Sequence, residues 1–234
     1  MPAGAGRKTY DEAYFRKWYR DPRTRVHTPD SVRRKVRMVV GVTEYFLGRK
    51  LRSVLDIGGR IQPYRPLLEG RLRSYFAADP QLEGLVDVVC LGETLPFRDS
   101  SFNLVVCTQV LTYVSDPARV VEEIYRVLRK GGHLILSVPS FFPEHHDERW
   151  RILPGGLRLL LARFETLRIE PEGHSIAGLF RAINVSLHYG MRSTWRRLAE
   201  HTTVPALNLA GRLLDRLAAG NDMCTANYSV LARK

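Results

Sequence analysis

From residue 53 onward, short apolar runs alternate with amphipathic stretches. SVLDIGG (53–59), SYFAADP (74–80), LVDVVCL (85–91) and SFNLVVCTQ (101–109) are brief runs rich in β-branched and aromatic residues. They read as strands buried on both faces. The next segment has a different period: Val120, Val121, Ile124, Val127 and Leu128 share one face of a helix. Gly131-Gly132 is expected to close that helix, and HLILSVP (133–139) gives a fifth strand. A polar loop follows at 140–150. Pro154 then opens a short helix over 155–163, and FETLRIE (164–170) is a sixth strand. Residues 174–222 are mostly helical in pattern, punctuated by Pro205 and several glycines. ANYSVLAR (226–233) alternates as a last strand. Strands alternating with helices predict an α/β fold, a parallel sheet covered on both faces. A late strand, a long insertion and a final strand predict an antiparallel hairpin at one sheet edge.

Residues 1–50 have another texture. Tyr10, Tyr14, Phe15, Trp18 and Tyr19 crowd a basic arm, and Thr28-Pro29-Asp30 has the form of a helix start. Val32, Val36, Val39, Val40, Thr43 and Leu47 follow at helical spacing up to Gly48, with Arg33, Arg34, Lys35 and Arg37 on the other side. The expected division is therefore an arm and helix over 1–50 and an α/β domain over 51–234.

Charge follows that division. The chain of 234 residues has a formal net charge of +12. Residues 1–50 hold 13 basic and 5 acidic side chains, 51–150 hold 11 and 13, and 151–234 hold 12 and 6. A near-neutral middle with basic flanks favours anionic partners on the flanks: nucleic acid, phosphorylated substrates or an acidic membrane surface. Hydrophobic residues make up 44% and charged residues 26%, which excludes a disordered or fibrous chain. No run of 18 apolar residues and no N-terminal apolar core of a signal sequence occurs, so a cytoplasmic protein without a membrane span is expected. Three cysteines (Cys90, Cys107, Cys224), with no CxxC pair, read as buried reduced thiols.

In an open parallel sheet, ligands bind beyond the carboxyl ends of the strands, near the switch point. The first strand offers Asp56-Ile57-Gly58-Gly59-Arg60 there. Glycines let a ligand approach the backbone closely. A carboxylate before them suits a cation, such as the amino end of an amino acid, and disfavours a pyrophosphate. The dinucleotide pattern G-x-G-x-x-G is not met. Asp79 ends the second strand, placed either to hold two ribose hydroxyls or simply to form a turn before Pro80.

Residues 92–139, GETLPFRDSSFNLVVCTQVLTYVSDPARVVEEIYRVLRKGGHLILSVP, resemble the class I S-adenosylmethionine-dependent methyltransferases, with VLDIGG and YFAADP ahead at the family's spacing. The resemblance covers roughly residues 52–170. It implies a Rossmann-like, doubly wound sheet of seven strands, mostly parallel with an antiparallel final strand, and S-adenosylmethionine as cofactor. It also implies that Asp56, Gly58 and Gly59 hold the methionine end and Asp79 the ribose. Gly92 and Glu93 would line the adenine, and Gln109 would border the methyl-transfer pocket. The chain departs from the family where Gly59-Arg60 replaces the second spaced glycine and Leu91 the usual acid. Asn103 stands in SFN for SFD, and Thr112-Tyr113 replaces Glu-His.

Methyl transfer asks a protein chiefly for positioning. An oxygen acceptor usually needs a base, and His145 or His146 in the loop Glu144–Glu148 could supply one; a solvated polar loop is the alternative. Two adjacent histidines without a third spaced ligand disfavour a metal. The expected activity is methylation of a small-molecule or glycan-type acceptor at oxygen, with 174–222 as a lid, a packed helical pair or a dimer surface. A nucleic-acid methyltransferase and a non-catalytic cofactor-binding protein are the alternatives. The first is motivated by charge, but no Asn/Asp-Pro-Pro-aromatic string follows strand four. The second is motivated by Arg60 and Leu91. Oligomeric state stays open.

Overall fold

A computed structural model describes residues 51–62, 64–68, 72–141, 143, 147–192, 195–196, 198–199, 202–218 and 220–234. The aromatic arm and the helix expected before residue 50 lie outside them. Seven strands form one sheet: β1 (Leu51–Ile57), β2 (Leu72–Asp79), β3 (Val88–Val89), β4 (Phe102–Thr108), β5 (Leu128–Pro139), β6 (Glu165–Pro171) and β7 (Asn227–Arg233). Their order is β3-β2-β1-β4-β5-β7-β6. Neighbours are parallel except that β7 runs antiparallel to both β5 and β6, the edge hairpin expected from the pattern. The helices are α1 (Arg65–Leu68), α2 (Pro117–Val127), α3 (Pro154–Leu160), α4 (Ser175–Gly190) and α5 (Thr203–Leu217).

The pleat sorts the apolar runs onto two faces. Leu55, Ile57, Val105, Cys107, Leu134 and Leu136 point one way, onto Val120, Ile124 and Val127 of α2 and Leu157 of α3. Val54, Leu104, Val106 and Ile135 point the other way, onto Tyr64 and Leu68. Both faces are covered, which is why these strands read as continuous rather than alternating hydrophobics.

Three local expectations are corrected. The helix of the fourth crossover starts earlier than its apolar period shows. Asp116 caps it, accepting from the N–H groups of Ala118 (2.9 Å) and Arg119 (3.1 Å), and Pro117 fills the first turn. Gly131-Gly132 does not close that helix. It ends at Val127, and the glycines lie inside β5, where the pairing jumps from Phe102↔Leu128 to Leu104↔His133. Gly131, at φ +75°, serves that irregularity; a helix end and a strand bulge ask for the same residue. The third run is a strand only at Val88–Val89, on the sheet edge, with Leu91 exposed. The Asp87 carboxylate there accepts from Ala77 N–H at 2.9 Å, taking up a donor of β2.

The insertion leaves from the carboxyl end of β6 and returns to the start of β7, so both its roots lie at the edge where the parallel strands end. Its helices pack antiparallel. Gly211 of α5 sits so close to α4 that a Cβ there would lie 2.9 Å from Phe180 Cβ. Asp215 of α5 accepts from the N–H groups of His174 (3.0 Å) and Ala177 (3.1 Å), satisfying donors left open at the start of α4. At the opposite edge of the sheet, Lys234 donates to the carbonyls of Tyr125 (2.6 Å) and Leu128 (2.7 Å), closing the C-terminus of α2. Among the described residues no helix is long and apolar enough to cross a membrane.

Candidate functional site

The switch point lies between β1 and β4, because the connections from these neighbours run in opposite directions across the sheet. The two loops that leave it touch. Gly58 adopts φ +76°, and a Cβ there would lie 2.5 Å from Val110 Cγ2. Gly59 is needed for another reason: a Cβ would lie 2.6 Å from the carboxyl carbon of Asp56, which tucks beneath it.

Asp56 is buried at the end of β1, and the Tyr75 hydroxyl donates to its Oδ2 at 2.6 Å. Burial pushes its carboxyl up to about 7; the Tyr75 hydrogen bond opposes this, and the Asp79 charge adds to it. What offsets the desolvation here is a hydroxyl rather than a cation. Tyr75 is itself held well above the usual phenol range, first by burial and then by the Asp56 charge. Asp79 is buried at the end of the adjacent β2, and its Oδ1 accepts from Gln81 N–H at 2.9 Å. The turn reading therefore holds for one of its oxygens, and its charge reaches Asp56.

Gln109 directly follows β4 at φ +60°, a left-handed conformation that costs a non-glycine residue roughly 1 kcal/mol or more. Its N–H donates to the Ser137 carbonyl (2.9 Å) and its Nε2 to Ser137 Oγ (3.0 Å), so β5 holds the strained residue in place. Gly92 is buried on the loop after β3, and a Cβ would crowd Val120 at 3.3 Å. Glu93 beside it accepts from Ser115 N–H at 2.8 Å, tying this loop to the one after β4.

Asp56, Gly58, Gly59, Asp79 and Gln109 thus converge at the carboxyl ends of β1, β2 and β4, with Gly92 and Glu93 on the neighbouring loop. His145 and His146 lie outside the described residues. The segment just after them is stitched to the loop after β4: Arg149 N–H (2.7 Å) and Trp150 N–H (3.2 Å) donate to the Thr112 carbonyl, and Trp150 Nε1 donates to the Val114 carbonyl at 2.9 Å. Trp150 is partly exposed there, and Arg151 pairs with Glu148.

Arg60 does not enter this space. It donates to Gln81 Oε1 at 2.7 Å and pairs with Glu83 at 3.2 Å, bracing the loops after β1 and β2. Cys107 is fully buried with its thiol pushed up by burial, so it is no nucleophile; Cys90 and Cys224 are half-buried rather than buried, and all three are free thiols.

Sequence reasoning missed Tyr75 and Gln62. Tyr75 stands opposite Val54 and so shares a sheet face with Asp56, which only the register reveals. Gln62 is buried at φ +47°, donates to the Leu85 carbonyl (2.6 Å) and Asp87 (3.3 Å), and accepts from Arg65 (2.8 Å). A polar residue three positions past Gly59 carries no signal of that clamp.

Residues 71–136 match the family model described as a methyltransferase domain. The chain is 37% identical over 97 residues to the thiol S-methyltransferase TMT1B of Rattus norvegicus, covering 41% of this chain and 35% of that protein. It is 32% identical over 112 residues to the ubiquinone/menaquinone biosynthesis C-methyltransferase UbiE of Xanthomonas oryzae, covering 42% and 44%. It spans less than half the length of these two curated relatives. The fold is similar to that of the Burkholderia thailandensis 1,6-didemethyltoxoflavin-N1-methyltransferase, which was solved with S-adenosylhomocysteine bound. The TM-score is 0.54 at 17% identity, over 100% of this chain and 92% of that one.

Proposed function

From a chain whose residues 71–136 match a methyltransferase-domain family and whose sheet has that fold, we infer a methyltransferase that moves the methyl group of S-adenosylmethionine to a small-molecule acceptor. One observation carries the reading: two buried carboxylates, Asp56 and Asp79, stand at the carboxyl ends of adjacent strands beside the switch point, with the Gly58-Gly59 turn, which has no room for a Cβ, directly after the first. The donor set fits this cofactor. A buried carboxyl raised to about 7 by desolvation is relieved by an ammonium group and would be worsened by a pyrophosphate. Asp56, Gly58 and Gly59 would hold the methionine end, Asp79 the ribose, Gly92 and Glu93 the adenine side, with Gln109 bordering the acceptor. The cofactor supplies the reactive methyl on a sulfonium; the chain's task is to orient an acceptor against it and exclude water.

For the acceptor atom we assign oxygen, with His145 or His146 as base; the insertion rooted at the same edge then serves as a lid that sets acceptor specificity. Arg60 supports catalysis over a cofactor-binding relic, because its guanidinium is spent on Gln81 and Glu83. Calorimetry with S-adenosylhomocysteine tests the core of this reading. Binding to the wild type should weaken at least roughly tenfold in both Asp56→Ala and Asp79→Ala, the loss of a charge-assisted contact. Full affinity in both variants would overturn the site.

A further inference from the structure

The α4–α5 hairpin is amphipathic the wrong way round for a surface element in water. On α4 the buried side carries Arg181, Asn184 and His188 beside Val185, which packs on Val204 of α5, while Leu179, Ile183 and Leu187 are exposed at i, i+4, i+8. On α5, Gly211 and Asn208 meet α4, the latter accepting from Asn184 Nδ2 at 3.0 Å. The opposite stripe, Leu209, Leu213 and Leu217, is exposed at the same spacing, Leu217 by 83%. Trp195, between the helices, is 65% exposed. A lone exposed leucine is ordinary; two regular stripes on two packed helices form a surface.

Its charge says what it fits. Residues 175–217 contain six arginines and only two acids, Glu200 and Asp215. Asp215 is turned inward to hold the start of α4, and Arg192 and Arg216 are exposed. Aliphatic stripes, an indole and arginines are the composition of helices that lie in a bilayer interface, where guanidinium groups meet lipid phosphate. Two such faces brought together in a symmetric pair would set like charges against each other. Residues 1–50, with 13 basic and 5 acidic side chains, match this face no better.

We propose that the α4–α5 hairpin is the docking face of this protein for an anionic lipid bilayer, which it binds peripherally with its strand-end edge turned toward the membrane. Vesicle flotation tests this on the full chain. Phosphatidylglycerol-containing vesicles should carry the protein, pure phosphatidylcholine vesicles should carry far less, and high salt should weaken the binding. Leu209→Glu/Leu213→Glu should reduce vesicle partitioning by roughly tenfold or more. Arg192→Glu/Arg216→Glu should remove the preference for anionic lipid. Both variants should bind S-adenosylhomocysteine as the wild type does, which shows that they are folded. Addition of anionic vesicles should shift indole emission to the blue in wild type and not in Trp195→Phe. No partitioning onto anionic vesicles overturns the proposal. So does light scattering that finds a dimer which Leu209→Glu/Leu213→Glu dissociates while lipid binding is unchanged.

Discussion

Replacing Asp56 by asparagine should make the unliganded protein more stable and a poorer cofactor binder at once. The carboxyl titrates at about 7 in the fold against an ordinary 3.8, chiefly because it is buried. Between those values the folded state binds more protons than the unfolded chain, so stability falls as pH rises through the window and levels off above it. At about 1.4 kcal/mol per pH unit, roughly 3 kcal/mol of wild-type stability should go between about pH 5 and pH 8. Asparagine keeps the shape and can still accept the Tyr75 hydroxyl, but has no charge to desolvate. Its curve should be flatter by that amount, giving a variant about 1–3 kcal/mol more stable than wild type at pH 8 once its own amide hydrogens are accounted for. Denaturant unfolding at several pH values, with and without S-adenosylhomocysteine, measures both effects. The ligand should stabilise the wild type far more than the variant and should take up the wild-type carboxyl as the anion, so that binding releases protons near neutrality. Parallel stability curves for the two proteins across this range would refute the reasoning.

The other expectations concern single contacts. Gly58→Ala puts a methyl 2.5 Å from Val110 Cγ2 at φ +76°, and should destabilise by about 1–3 kcal/mol in denaturant unfolding while lowering cofactor affinity. Ile124→Ala empties a fully buried position under the sheet and should cost about 2–5 kcal/mol, read as a shift of the unfolding midpoint. Asp215→Ala leaves the N–H groups of His174 and Ala177 without their carboxylate and should cost about 1 kcal/mol, with S-adenosylhomocysteine binding unchanged in calorimetry. A short linker in place of 174–222 should leave cofactor affinity near wild type and abolish methyl incorporation; retained turnover on the native acceptor would remove the lid.

The central sheet was legible in the sequence because burial on both faces leaves uninterrupted apolar runs, as at Leu104–Cys107 and Leu134–Leu136. The strand-end carboxylates were legible for a related reason: a charged residue at the close of such a run has to serve something. What escaped depends on register or on geometry that several sequences share. Tyr75 reaches Asp56 only through the β1–β2 pairing. Gly131-Gly132 looks alike whether it ends a helix or bends a strand. LVDVVCL has strand composition, yet at an edge, with Asp87 taken up by Ala77 and Gln62, only two of its residues pair. Nothing in the periodicity of 174–222 told which side of α4 would be buried, since apolar residues occur on most of its faces and Arg181, Asn184 and His188 turned in alongside Val185.

The place of β7 has a consequence for biosynthesis. It lies between β5 and β6, so during translation β5 must wait through the emergence of roughly ninety residues before its second neighbour exists. Through that interval Leu134, Leu136 and Val138 stand on an open strand edge, and β6 has no neighbour to pair with. Nascent chains halted between β6 and β7 should therefore be substrates for holding chaperones, and release should come with the arrival of Asn227–Arg233. The same late pairing draws together parts of the chain far apart in sequence, so closure of this edge is expected to be slower than assembly of β1, β2 and β4, which refolding kinetics of a β7-destabilised variant would check.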